Sequence, residues 1–175
     1  MATEQDKTQQ ALDTAIQMEI DGKKFYQKMS ESSISRLGRQ LFQTLAAEED
    51  IHRKKFEEIF NAIRQKKAWP RTDFVPDGGK KLRTIFAKAT DESAKLKSPA
   101  TELDAVQTAM SMENKTHDFY KEQAKNAAYA IEKNFYDTLA SEEKEHHLIL
   151  LDYYEYLKNP TGWFVKKERP SLDGG

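Results

Sequence analysis

No cysteine occurs among the 175 residues. That excludes a disulfide framework, a zinc finger and any iron–sulfur ligand set. Net charge is nearly absent too: 33% of the residues are charged, yet they sum to −1, so the overall balance supplies no basic face for nucleic acid. Long apolar runs are missing. The longest aliphatic run is Leu148–Leu151, far short of a membrane span or a signal-peptide core, and the chain opens on the polar MATEQDKTQQ. A soluble, cytoplasmic protein without nucleic-acid or membrane partners is expected. Its length suits one domain with a real core.

Proline is the fourth scarcity, standing only at positions 70, 76, 99, 160 and 170. Two proline-free stretches remain, 1–69 and 100–159, rich in Glu, Lys, Ala, Gln and Leu, and both are helical candidates. Each is too long for one ordinary helix and carries a weak break, at Glu31–Ser35 and Lys125–Ala130. The pattern predicts four long helices near 8–31, 35–66, 101–126 and 130–158. Ser98-Pro99 reads as an N-cap with proline at the first helical position, and Asn159-Pro160 as a stop. The segment between the pairs, about 67–100, holds a candidate short helix near 81–96 and is long enough to cross the length of a bundle. An all-α four-helix bundle of two similar helix pairs joined by a long crossover follows, occupying 1–165 with a tail at 166–175.

The halves are similar because they repeat. LAAEEDIH at Leu45–His52 returns as LASEEKEH at Leu139–His146, and MEIDGKKFY at Met18–Tyr26 returns as MENKTHDFY at Met112–Tyr120, always 94 residues on. Over 15–63 against 109–157, 11 of 49 positions are identical, where unrelated windows would share roughly three.

What repeats is chemically unusual. On the second helix the apolar stripe runs Phe42, Leu45, Glu49, His52, Phe56, Ile59, Ile63; on the fourth it runs Tyr136, Leu139, Glu143, His146, Leu150, Tyr153, Leu157. The first and third helices interrupt theirs with Glu19, between Ala15 and Tyr26, and Glu113, between Ala109 and Tyr120. An ionised carboxylate on a buried face is costly without a partner, so the centre needs something cationic. Two divalent metals would cancel four carboxylates and give each histidine a ligand role. A Glu from each of two helices plus Glu-x-x-His from each of the other two is the dinuclear carboxylate pattern. Spacing of three sets each Glu and His on one face. Oxygen and imidazole donors favour iron or manganese over a structural zinc site. A lone Glu-x-x-His means little, but two occur here at one offset, each with Glu 30 residues upstream. Solvated, salt-bridged helix faces are the plain alternative, and they leave the position inside the apolar stripe unexplained.

With these residues in view, the chain resembles the ferritin-like superfamily and, within it, rubrerythrin and its relatives, whose helices carry Glu, EExxH, Glu and EExxH in order. Here these are Glu19, Glu48-Glu49-x-x-His52, Glu113 and Glu142-Glu143-x-x-His146, and the ending YLKNPTGWF (Tyr156–Phe164) is similar to members without a rubredoxin domain. The resemblance implies a di-iron bundle, commonly a homodimer, that reacts with hydrogen peroxide or dioxygen. Two iron ions per chain are expected, with manganese or zinc as substitutes, on Glu19, Glu49, His52, Glu113, Glu143 and His146. Without cysteine, electrons must come from an external donor such as a rubredoxin-like protein. Rubrerythrins proper carry one more glutamate three residues after the third-helix Glu, which exchanges with the first histidine on oxidation; this chain has Thr116 there.

The function expected is a di-iron oxidoreductase reducing peroxide or dioxygen; a ferritin-like ferroxidase or iron-handling protein is the alternative, and a metal-stabilised binding bundle a third. Tyr26 and Tyr120, two turns beyond Glu19 and Glu113, are candidate catalytic residues behind the ligands, or else core-filling tyrosines. His117 reads as a surface or half-buried histidine that could reach the site, and His147 as solvated. Glu48 and Glu142 are alternative ligands. Trp69 and Trp163 are expected to pack over the bundle ends.

Overall fold

The computed structural model describes residues 4–65, 68–72, 74–87 and 100–163. Helices α1 (Glu4–Ser32), α2 (Arg36–Arg64), α4 (Ala100–Asn126) and α5 (Ala130–Lys158) form the bundle, and the short α3 (Lys80–Ala87) lies in the crossover. No strand occurs among the described residues. The four long helices match the expected ones to within a few residues. The Ser98-Pro99 cap and the distal part of the expected short helix lie outside the described residues.

Local chemistry explains the boundaries. Ser35 caps α2, its hydroxyl accepting from the Gly38 amide at 2.8 Å. Asn159 ends α5, and one more helical turn follows at 160–163. Before α3 the chain turns through Gly78 and Gly79, with φ of 61° and 73°, a left-handed conformation that side chains disfavour. Asp77 then accepts from the amides of Lys80 and Lys81 at the new helix start.

The helices pack chiefly as two hairpins, α1 with α2 and α4 with α5. Trp69, just after α2, packs on Phe135 and Tyr136 at the start of α5. At the opposite end Glu102, in the first turn of α4, accepts from Ser33 Oγ in the α1–α2 turn at 2.7 Å and from the Tyr153 hydroxyl at 2.6 Å. The crossover therefore runs from one end of the bundle to the other. No helix among the described residues is long and apolar enough to cross a membrane.

Two apolar clusters fill the bundle. One gathers Tyr26, Leu41, Phe42, Leu45, Leu150 and Tyr153; the other gathers Leu12, Phe56, Ile59, Trp69, Tyr120 and Tyr136. The charged band of the stripes lies between these clusters.

Candidate metal centre

Each long helix delivers its ionisable residue to that band because the residue sits in register with apolar neighbours that must be buried. Glu19, Glu49, His52, Glu113, Glu143 and His146 are all at most 4% exposed. They form two overlapping groups: Glu19, Glu49, His52 and Glu143, and Glu49, Glu113, Glu143 and His146, with the donor atoms in each group within 4.8 Å of one another. Glu49 and Glu143 belong to both. His52 Nδ1 lies 3.2 Å from Glu143 Oε1 and 3.5 Å from Glu19 Oε2. His146 Nδ1 lies 3.3 Å from Glu49 Oε1 and 3.6 Å from Glu113 Oε2.

The donor atoms test whether a metal suits the site. Glu19 Oε2, Glu49 Oε1, both Glu143 oxygens, His52 Nδ1 and His146 Nδ1 are buried, and none makes a hydrogen bond among the described residues. Native proteins rarely leave such atoms unpaired. Their mutual orientation, lone pairs inward from α1, α2 and α5, is what a cation between them would satisfy.

Without a cation, protons carry the balance. Burial pushes Glu49 far above the ordinary carboxylate range, and repulsion from Glu19 and Glu143 adds to it. Glu113 rises to about 8 through burial and the neighbouring Glu143, despite His146. Burial works against protonated His52, but Glu19 and Glu143 outweigh it and lift the ring to about 10. His146 is raised as well, burial being overcome by Glu113, Glu143 and Glu48. For Glu143 the two imidazoliums prevail over burial, and its carboxyl is held well below the ordinary range.

Around the six lie partners that cross between the halves. The Tyr26 hydroxyl donates to Glu113 Oε1 and the Tyr120 hydroxyl to Glu19 Oε1, so each tyrosine serves the other half's carboxylate. Burial first, then the carboxylates, raises both phenols well above 10 and keeps them as donors. Glu48 faces the outer nitrogen of His146, with Oε2 2.8 Å from Nε2, and so orients a ligand rather than joining either group. Glu142 is buried beside it and also outside both groups.

Two histidines stand apart. His117 is half-buried and pairs with Asp118 at 3.0 Å. His147, expected to be solvated, is instead half-buried, its Nδ1 3.2 Å from the Met110 carbonyl oxygen, because α4 packs over that side of α5. Thr116 spends its hydroxyl on the Met112 carbonyl at 3.1 Å, one turn back on its own helix.

Sequence reasoning passed over two residues that shape the site. A Cβ on Gly22, the position 94 residues before Thr116, would sit 3.3 Å from Glu49 Oε2, so glycine lets α1 approach a carboxylate shared by both groups. Its signal was a glycine inside a long helix, which costs about 1 kcal/mol against alanine. Phe74, in the crossover, packs edge-on to His52 with centroids 5.6 Å apart. It also lines a cleft of about 300 Å³ with Arg71, Ile131, Asn134 and Phe135. Nothing local in the sequence announces that contact.

The model of the rubrerythrin family matches residues 10–154, a span that contains all six residues and both tyrosines. The chain belongs to the rubrerythrin family. No curated protein and no solved structure matches it. For a rubrerythrin-family chain, the buried Glu/His cluster suits a di-iron or other metal site.

Proposed function

We propose that this rubrerythrin-family protein is a di-iron oxidoreductase that reduces hydrogen peroxide or dioxygen with electrons from an external donor. The observation that carries the proposal is the pair of overlapping four-residue groups, which share Glu49 and Glu143 and leave donor atoms of Glu19, Glu49, His52, Glu143 and His146 unpaired among the described residues. Glu19 and His52 would hold one metal, Glu113 and His146 the other, with Glu49 and Glu143 within reach of both. Iron bound there would supply the two electrons that peroxide reduction consumes, together with Lewis acidity.

The chain's own residues do the rest. Tyr120 and Tyr26 hold Glu19 and Glu113 in place by hydrogen bonds and bring phenolic protons to the edge of the site. Glu48 sets the orientation of the His146 ring. Apolar clusters on both sides exclude bulk water, and Phe74 stands between His52 and the nearby cleft. Ligands so deeply buried favour an oxidant of a few atoms over any larger substrate. A homodimer and a separate rubredoxin-like donor belong to the same proposal.

Stopped-flow mixing of the anaerobic, Fe(II)-loaded protein with peroxide and with air tests it. Oxidation by peroxide is expected to be the faster, followed by turnover when a reductant is added. Slower oxidation by peroxide than by oxygen would favour iron oxidation as the function.

A further inference from the structure

We propose that Phe74 is the gate by which a small oxidant reaches the His52 side of the centre, and that its ring sets the size of the hydroperoxide admitted. The inference rests on the di-iron oxidoreductase reading and adds to it a route and a specificity-determining residue. Phe74 has a different neighbour on each side. Its ring meets His52 edge-on with centroids 5.6 Å apart, and it forms part of the wall of the cleft of about 300 Å³ that Arg71, Ile131, Asn134 and Thr138 also line. His52 is 2% exposed, whereas Arg71, Ile131 and Asn134 are exposed and Phe74 itself is half-buried, followed by Val75 at 88% exposure. One ring separates a buried histidine from a cleft that meets solvent.

The repeat supplies a contrast. Asn134 and Thr138 lie 94 residues after Gln40 and Thr44, and those two line a second cleft, of about 550 Å³, between α2 and α3, with Glu48 in its wall beside Lys81 and Ile85. Each half thus carries a cleft along its Glu-x-x-His helix, and the crossover covers each with a different segment. What stands behind them differs. In the larger cleft, Glu48 Oε2 is 2.8 Å from His146 Nε2, and opening that side would strand a buried carboxylate and a buried imidazole. Phe74 packs edge-on to His52 and Phe135, so swinging its ring forfeits dispersion contacts and no hydrogen bond. The Phe74 side is the cheaper one to open.

Size decides what the gate selects. A water molecule takes about 30 Å³ of liquid, so the cleft has room for on the order of ten and does not itself discriminate among small solutes. It is large enough to seat a branched alkyl hydroperoxide. Passage from there to His52 is the selective step, because a molecule of two oxygens slips past a small rotation of the ring, whereas a tert-butyl group needs the ring to leave its packing altogether. Arg71 in the wall repels cations, so the route suits neutral or anionic solutes rather than the metal.

Anaerobic stopped-flow mixing of the Fe(II)-loaded full chain with hydrogen peroxide and with tert-butyl hydroperoxide measures the selection. The parent is expected to favour hydrogen peroxide, and Phe74→Ala to raise the tert-butyl hydroperoxide rate at least tenfold while moving the hydrogen peroxide rate less than threefold. Ile85→Ala, in the other cleft, should alter neither. Thr138→Trp, which fills the cleft from α5 and leaves Phe74 in place, should slow both at least tenfold, and it tests the route even if Phe74→Ala does not fold. A second readout needs no turnover: with Co(II) in place of iron, imidazole is expected to shift the visible spectrum of Phe74→Ala and not that of the parent. Equal rates for the two hydroperoxides in the parent, a tert-butyl hydroperoxide rate unmoved by Phe74→Ala or raised as much by Ile85→Ala, unslowed oxidation of Thr138→Trp, or a parent Co(II) spectrum that responds to imidazole would each overturn the gate. Metal content separates the two readings: fewer than two ions per chain in the parent removes the di-iron reading and the gate with it, whereas full loading with any of those outcomes removes the gate alone.

Discussion

Loading the centre with divalent metal is predicted to expel protons, and the number follows from the charges in the site. Glu113 and His52, raised to about 8 and about 10, each hold a proton at pH 7 in the metal-free protein that a metal must displace, about two in all, and Glu49 and His146, raised by burial and by their carboxylate neighbours, add to that number. Glu113, at about 8, has given its proton up by pH 9, and the count there falls by about one. Release of n protons raises the overall binding constant about 10ⁿ-fold per pH unit, so loading is expected to be steeply pH-dependent near neutrality. Stability moves the opposite way in the metal-free chain. His52, raised from 6.5 to about 10, stabilises the fold fully below pH 6.5 and loses that contribution as pH rises through 10. Glu113, raised from 4.5 to about 8, stabilises it below 4.5 and loses that contribution through pH 8. Metal-free protein should therefore melt lower at pH 9 than at pH 6, while metal-loaded protein melts higher than metal-free at both, by a margin that widens with pH. Anaerobic calorimetry of Fe(II) binding in two buffers of different ionisation enthalpy counts the protons. Release of fewer than about two at pH 7 would refute this account of the site's charge.

Replacing both carboxylates shared by the two groups, Glu49→Ala with Glu143→Ala, is expected to abolish dinuclear loading in a metal assay; full two-metal occupancy in the double variant would remove the site assignment. Because Thr116 offers only a hydroxyl already bound to Met112, His52 is expected to stay ligated in oxidised and reduced crystals alike. Thr116→Glu should instead draw one metal towards α4 on oxidation, and loss of the His52 bond in the parent protein would show this to be wrong. Gly38→Ala would force a methyl into Ser33 Oγ, the Tyr153 hydroxyl and Glu102 Oε1, breaking the buried knot at the start of α4. A loss of about 2–4 kcal/mol in urea unfolding is expected, and a change below about 0.5 kcal/mol would mean that the knot yields freely.

Period and repetition alone determined the helices, their apolar stripes and the six inward residues. Those are properties of spacing along one chain: a residue in register with buried neighbours is buried with them, whatever lies opposite. Leu12, Ala15 and Glu19 on α1 and Leu139, Glu143 and His146 on α5 are accordingly all buried as the stripe requires. Spacing says nothing of what faces what across the bundle. Only packing of the two hairpins decided that Tyr26 serves Glu113 and Tyr120 serves Glu19, that Glu48 reaches His146 from the other half, and that His147 turns to the Met110 carbonyl. Phe74 against His52 and Glu102 against Ser33 and Tyr153 are likewise contacts between segments remote in sequence. A helical period specifies a face; the neighbour that meets it depends on how the hairpins dock and how the crossover closes over them, and these are settled by the whole core at once.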